Sequence, residues 1–188
     1  MGWGIGTKIL NSVGKMFKAD DEIAISALIT EDVFHYAVHE GVAYSVWSIA
    51  TSGDRFICFK TQLQSAVNTN LHLLWKFSQE LNATFSVMRD VTPQSGGSDM
   101  VAQNKNHTFS NASLVKAGNT ETVGSVQVGQ NWTGGVETYA EFASRRGGSG
   151  AADGEIFLDF DTWYGVKLVD TGTGDIGMTL TWFEVPNA

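Results

Sequence analysis

Cysteine, proline and charge are all scarce in this chain of 188 residues: it has one Cys, two Pro and only 17% charged residues. A single cysteine excludes an internal disulfide framework. Cys58 sits in the apolar run "RFICFK" and reads as a small core residue rather than a nucleophile. No apolar run is long enough to span a bilayer. The first apolar residues are interrupted by Lys8 and Asn11, unlike a secretory signal. Synthesis in a cytoplasm is therefore expected, and the Asn-x-Ser/Thr matches at Asn82, Asn106, Asn111 and Asn131 are expected to be fortuitous. Basic residues are also in deficit: 12 Lys and Arg stand against 20 Asp and Glu, a net charge of −8. That excludes general nucleic-acid binding, because phosphate contacts need a basic face.

Glycine is plentiful, at 21 residues, and 43% of the chain is apolar. This profile fits a β-rich globule better than a disordered tail or a helical bundle. The length suits one domain with a sizeable core and an appended arm. Charge is unevenly spread along it. Residues 1–18 carry Lys8, Lys15 and Lys18 with no acid, so the remainder holds −8 − 3 = −11.

The chain divides into residues 1–32, an N-terminal arm and linker, and residues 33–188, a β domain. In the arm, Ile9, Leu10, Val13, Met16 and Phe17 recur at helical spacing. So short a helix is marginal alone in water and should order only when docked. From residue 33 the period becomes two. Leu71, Leu73, Trp75 and Phe77 alternate with His72, Lys76 and Ser78, and Ile176, Met178, Leu180 and Trp182 alternate with Gly177, Thr179 and Thr181. Similar patterns over 33–39, 42–49, 55–61, 83–87, 121–129, 136–142, 156–160 and 163–169 give about ten strands separated by Gly, Asn, Asp and Ser clusters. An antiparallel β-sandwich or jelly roll is the expected fold, with no helix after residue 18.

Few motifs suggest chemistry. "GTGDIG" at 172–177 has dinucleotide-fingerprint spacing, but a strand-like "MTLTWFEV" follows where a helix should open, so it reads as a hairpin turn. His35 and His39 would share a metal on a helix. In the strand expected here they lie about 13 Å apart. Glu155, Asp159 and Asp161 line one strand face without the spacing of a calcium loop. Arg89-Asp90, at the expected end of a strand, reads as a structural ion pair, because no nucleophile or base lies near it in sequence. No catalytic residue, metal site or cofactor is expected. Trp132, Tyr139, Trp163 and Tyr164 fall outside the clearest core stripes. Together with Arg145 and Arg146 they make a candidate surface for glycan or partner, since exposed aromatics stack on sugar rings.

Taken in order, "HEGVAYSV", "DRFICFKT", "LLWKFSQELNATFSVMRDVTPQSGGSDMVAQNKN", "GGVETYAEFASRRG", "EIFLDFDTWYGVKLVD" and "DIGMTLTWFEV" resemble a family of tailed-phage β-sandwich proteins of the virion. The resemblance covers about residues 33–185 and rests on order and spacing more than on any one motif. The chain departs from the family in Met88-Arg89 and in its N-terminal segment. The resemblance implies a capsid decoration (cement) or minor structural protein without enzymatic activity, located on the virion. Its partners would be the major capsid protein and other copies of itself, a trimer being the favoured oligomer, with no membrane. Lys8, Ile9, Leu10, Val13, Met16 and Phe17 are the expected anchoring residues. The alternative is a tail-fibre or surface adhesin module that binds host glycan.

Overall fold

The computed structural model describes residues 33–62, 69–118, 120–143, 148–150 and 156–186. Its elements in chain order are α1 (Val33–His39), β1 (Ala43–Ala50), β2 (Arg55–Lys60), β3 (Thr69–Gln79), β4 (Ala83–Pro93), β5 (Ser98–Val101), β6 (Gln103–Asn104), β7 (Lys116–Ala117), β8 (Ser125–Val128), β9 (Trp132–Ala143), β10 (Gly148–Gly150), β11 (Ile156–Leu158), β12 (Trp163–Asp170) and β13 (Ile176–Pro186). The strands form two antiparallel sheets. Sheet A runs β10-β3-β13-β1-β6, with β11 also on β3; sheet B runs β5-β8-β2-β12-β4-β9, with β7 also on β2.

The period-two stripes face each other across the gap. Val46, Leu73, Trp75, Leu180 and Trp182 from sheet A meet Ile57, Phe59, Phe85, Val166 and Leu168 from sheet B in one core, so the fold is a β-sandwich. Aromatic rings span the gap. Trp182 of sheet A stacks on Phe59 of sheet B at 6.2 Å, and Phe59 on its sheet B neighbour Tyr164 at 5.8 Å, while Trp75 and Phe77 of sheet A stack on Phe85 of sheet B at 5.3 and 5.1 Å.

Two expectations fail. Residues 33–39 form a helix, not a strand. The helix ends in a Schellman motif: Val42 N–H donates to Ala37 O and Gly41 N–H to Val38 O, with Gly41 at φ +69°. Ala37 and Val38 then pack on Ala43, Phe183 and Leu74, on the outer face of sheet A. The Asn-rich stretch serves this helix end, since Asn104 Nδ2 donates to Gly41 O at 2.7 Å and Asn106 Nδ2 to His39 O at 3.3 Å. The second failure is that β4 does not stop at Arg89-Asp90 but continues to Pro93. Asp90 takes φ +58° opposite Gly135 at φ +96°, and a bulge between Val87 and Met88 leaves Thr138 extra on β9.

Outside the sandwich, a smaller apolar cluster covers the far face of sheet B. Trp132 folds across it onto Cys58 and Val91, edge-on to Phe56 at 5.7 Å. Gly165 is the floor beneath the indole, where a methyl group would overlap the ring. Gly165→Ala should therefore lower stability by about 1–3 kcal/mol through overpacking. In a Trp132→Ala background the same change should be nearly neutral. Urea unfolding of the four proteins of this cycle measures the coupling; additive effects would contradict the contact.

Candidate docking surface

The structure disperses the aromatic surface expected from sequence. Trp132 and Tyr164 are buried, at 7% and 2% exposure. Tyr139 lies half-buried on Trp75, with centroids 4.7 Å apart, and its hydroxyl donates to Glu141 at 3.0 Å. Trp163 packs on the outer cluster of sheet B with Lys60 Nζ 5.5 Å from its ring. Tyr164 shares the inward parity of Val166 and Leu168 and belongs to the core, with Tyr139 packed against it, whereas Trp132 swings back over its own sheet, which parity along a strand does not show. Arg145 and Arg146, and the arm residues Lys8, Ile9, Leu10, Val13, Met16 and Phe17, lie outside the described residues.

The charged candidates are tied into pairs. Arg89 Nη1 reaches Asp159 at 3.1 Å, linking sheet B to the β11–β12 connection, and its Nε lies 3.5 Å from Asp90. Lys60 Nζ sits 2.7 Å from Asp161. Glu155 and the His35 side chain lie outside the described residues; His39, on α1, is exposed. Among the described residues no group of three His, Cys, Asp or Glu side chains is placed to hold a metal. Burial in apolar surroundings pushes the Cys58 thiol up to about 12. "GTGDIG" spans the turn between β12 and β13 and the start of β13, with Gly172 N–H donating to Asp170 at 3.2 Å.

Among the described residues, the outer face of sheet A carries a cluster of exposed apolar side chains. On β1 the even residues Tyr44 and Val46 point into the core, which turns Trp47 and Ile49 outward at 44% and 71% exposure. Trp47 stands across from Thr179 and Ile49 across from Gly177. Beside them a groove of about 450 Å³ is lined by Ile49, Lys76, Ser78, Asp175, Gly177 and Thr179, among others. The absence of a side chain at Gly177 makes the depression between β1 and β3. Further along the same face, Phe157 lies exposed on His72 at 4.2 Å, and His72 stacks on Phe183 at 4.5 Å. A clue was present in "AYSVWSIA", a strand whose supposedly wet face carries Trp and Ile. Protein-family models, curated proteins and solved structures were compared with the chain, and none matches it.

One buried ionisable group stands out. Glu184 points into the core end of β13, 4% exposed. Its Oε1 accepts from Ser113 Oγ at 2.6 Å, Leu114 N–H at 2.8 Å and Trp182 Nε1 at 3.2 Å. It thereby fastens the loop before β7 to sheet A. Burial pushes its carboxyl up to about 7, against the opposing pull of those hydrogen bonds. A raised folded-state pKa means that the native protein holds the proton longer than the unfolded chain. Glu184 therefore contributes most below about pH 4.5, and its contribution declines as pH rises towards 7, by up to about 3 kcal/mol. Glu184→Gln mimics the protonated acid. It should remove this part of the pH slope and leave the variant more stable than the parent at pH 8. Urea midpoints from pH 4.5 to 8 check this, and parallel curves for parent and variant would refute it.

Proposed function

We propose that this chain is a non-enzymatic structural protein of a phage particle: a decoration (cement) protein that binds the outer surface of the major capsid protein shell and stabilises it. The observation that carries the reading is the outer face of sheet A, where Trp47 and Ile49 lie exposed on a rigid two-sheet body. Apolar side chains held outward on a firm sheet are suited to contact with another protein. The non-enzymatic part is supported by the uses the chemical groups already have. Arg89 pairs with Asp159, Lys60 pairs with Asp161, and Cys58 is buried. The resemblance to phage virion proteins over residues 33–185 supports the same reading, as does an acidic body joined to a lysine-bearing apolar arm.

On this reading Lys8, Ile9, Leu10, Val13, Met16 and Phe17 attach the body to the capsid protein. Burying five apolar side chains returns no more than the ordering of a dozen residues costs, so a single arm binds weakly. A homo-oligomer, with a trimer favoured, joins several weak arms into one strong attachment. Neither nucleic acid nor membrane has a role, and the protein is made in the host cytoplasm and resides on the virion. Deleting residues 2–18 should abolish capture by undecorated shells while leaving the melting temperature nearly unchanged. Quantitative mass spectrometry of purified particles should find the chain in hundreds of copies, in simple ratio to the capsid protein. Full capture by the truncated protein, or a dozen copies per particle, would count against decoration.

The second reading, a tail-fibre or surface adhesin that binds glycan, now rests on Trp47. Its half-exposed ring stands on the same face as Lys76, Ser78, Asp175 and Thr179, polar groups that could bond sugar hydroxyls. If this reading holds, glycan-array binding is present in the parent and lost in Trp47→Ala. No signal from the parent would remove it.

A further inference from the structure

The stretch from Lys105 to Val115 joins β6 on sheet A to β7 on sheet B, so it crosses one end of the sandwich. It is fastened on both sides of the crossing. Lys105 N–H donates to Ala43 O on one side; on the other, Val115 is buried in the core and its carbonyl accepts from Gly124 N–H. Between these fixings residues 107–112 are exposed, whereas Ser113 is fully buried. Among the described residues, the hydrogen bonds from 107–114 to the sheets run to three side chains. Tyr44 Oη donates to Ala112 O at 3.4 Å, Trp182 Nε1 donates to Ser113 Oγ at 3.0 Å, and Glu184 accepts from Ser113 Oγ and Leu114 N–H.

We propose that residues 107–114 are a proton-operated strap, shut over the end of the sandwich while Glu184 is protonated and opening far more often, with the sheets intact, once Glu184 has lost its proton. This is independent of the proposed attachment to a shell. It also goes beyond a pH-dependent global stability, because it assigns the response to one loop.

A charge in a dry place drives the opening. With the strap shut, Glu184 is 4% exposed, and its ionised carboxylate exchanges water for three donors on one oxygen. With the strap lifted, the same carboxylate is hydrated. The groups facing it leave that balance undisturbed. On β1, burial and the nearby carboxylate push the Tyr44 hydroxyl up to about 12, so it stays a neutral donor. On β3, its cross-strand partner Leu71 is apolar. In and beside the strap, Lys105 and His107 are exposed and Lys116 Nζ lies 3.7 Å from Glu121. None of these gives the carboxylate a counter-charge.

The opening is local because few contacts break. Residues 107–114 belong to no strand, so lifting them leaves every strand pair in place. Phe109, whose ring rests against Gly41, is already 39% exposed. With the carboxyl at about 7 when shut and at 4.5 when hydrated, the open population rises between pH 4.5 and 7 by up to 10^(7 − 4.5), about 300-fold, and levels off above.

Amide hydrogen exchange of the full chain, corrected at each pH for the intrinsic rate, tests this. Between pH 4.5 and 7.5 the protection of Leu114 N–H should fall by at least about tenfold and up to about 300-fold. In Glu184→Gln it should hold constant over the same range. Exchange of Leu114 should be insensitive to urea well below the unfolding midpoint, while that of Leu180, central in sheet A, should accelerate with urea. Constant protection of Leu114 in the parent, or the same pH slope in Glu184→Gln, would overturn the proposal. Equal urea dependence of Leu114 and Leu180 would also overturn it and assign the response to unfolding of the whole sandwich. That comparison needs the parent alone, so it decides the matter even where the variant fails to fold.

Discussion

The two sheets of this protein are held at one separation by aromatic rings that reach across the gap. Trp182, Phe59 and Tyr164 form one stack, and Trp75, Phe77 and Phe85 form another. Such contacts add about 0.5–1.5 kcal/mol per pair to the burial itself. Their geometric effect matters as much. With the sheets fixed, the indole of Trp182 is aimed at Ser113 and Glu184, and the loop before β7 can close over the end of the sandwich. The carboxylate is tolerated there because three donors converge on one of its oxygens. Remove the ring stack, and those donors lose the frame that gathers them.

The outer faces of the two sheets are finished differently. Sheet B is sealed by a residue of its own edge strand, Trp132, lying over Gly165. Among the described residues, α1 covers one end of sheet A. The outer strand β9 exposes Val136 and Phe142, but it also carries a bulge, Glu137, Glu141 and two glycines at positive φ. These are features by which natural sheets discourage pairing with another chain. Pairing with another strand is thus discouraged at the β9 edge of sheet B.

Much of this architecture was legible in the sequence. Stripes such as Leu71-Leu73-Trp75-Phe77 and Ile176-Met178-Leu180-Trp182 face the core as their spacing required, because a buried strand face leaves a period of two. The segment 33–39 was not legible. "VFHYAVH" alternates well enough for a strand, and what makes it a helix is the left-handed Gly41 with carbonyl partners from Asn104 and Asn106, more than sixty residues away. The candidate surface was the least legible part. Tyr164 belonged to the core, Trp132 to the cover of sheet B, and Trp47, marked only by its place opposite the parity of Tyr44 and Val46, was among the rings left exposed. Parity assigns a side to each residue, but which sheet face another element covers is decided by the whole chain.

Strand order carries a consequence for how the molecule is made. β13 lies between β1 and β3 in sheet A, and β12 lies between β2 and β4 in sheet B. The last two strands among the described residues are therefore central ones, and Ala43 waits for Phe183, 183 − 43 = 140 residues later, before its strand has this neighbour. Until then β1 to β4 emerge from the ribosome as four apolar strands with the middle of each sheet missing. Contacts this distant in sequence favour slow, late folding. A chain cut short before Trp163 would lack both keystones, leaving its translation product to chaperones and proteases.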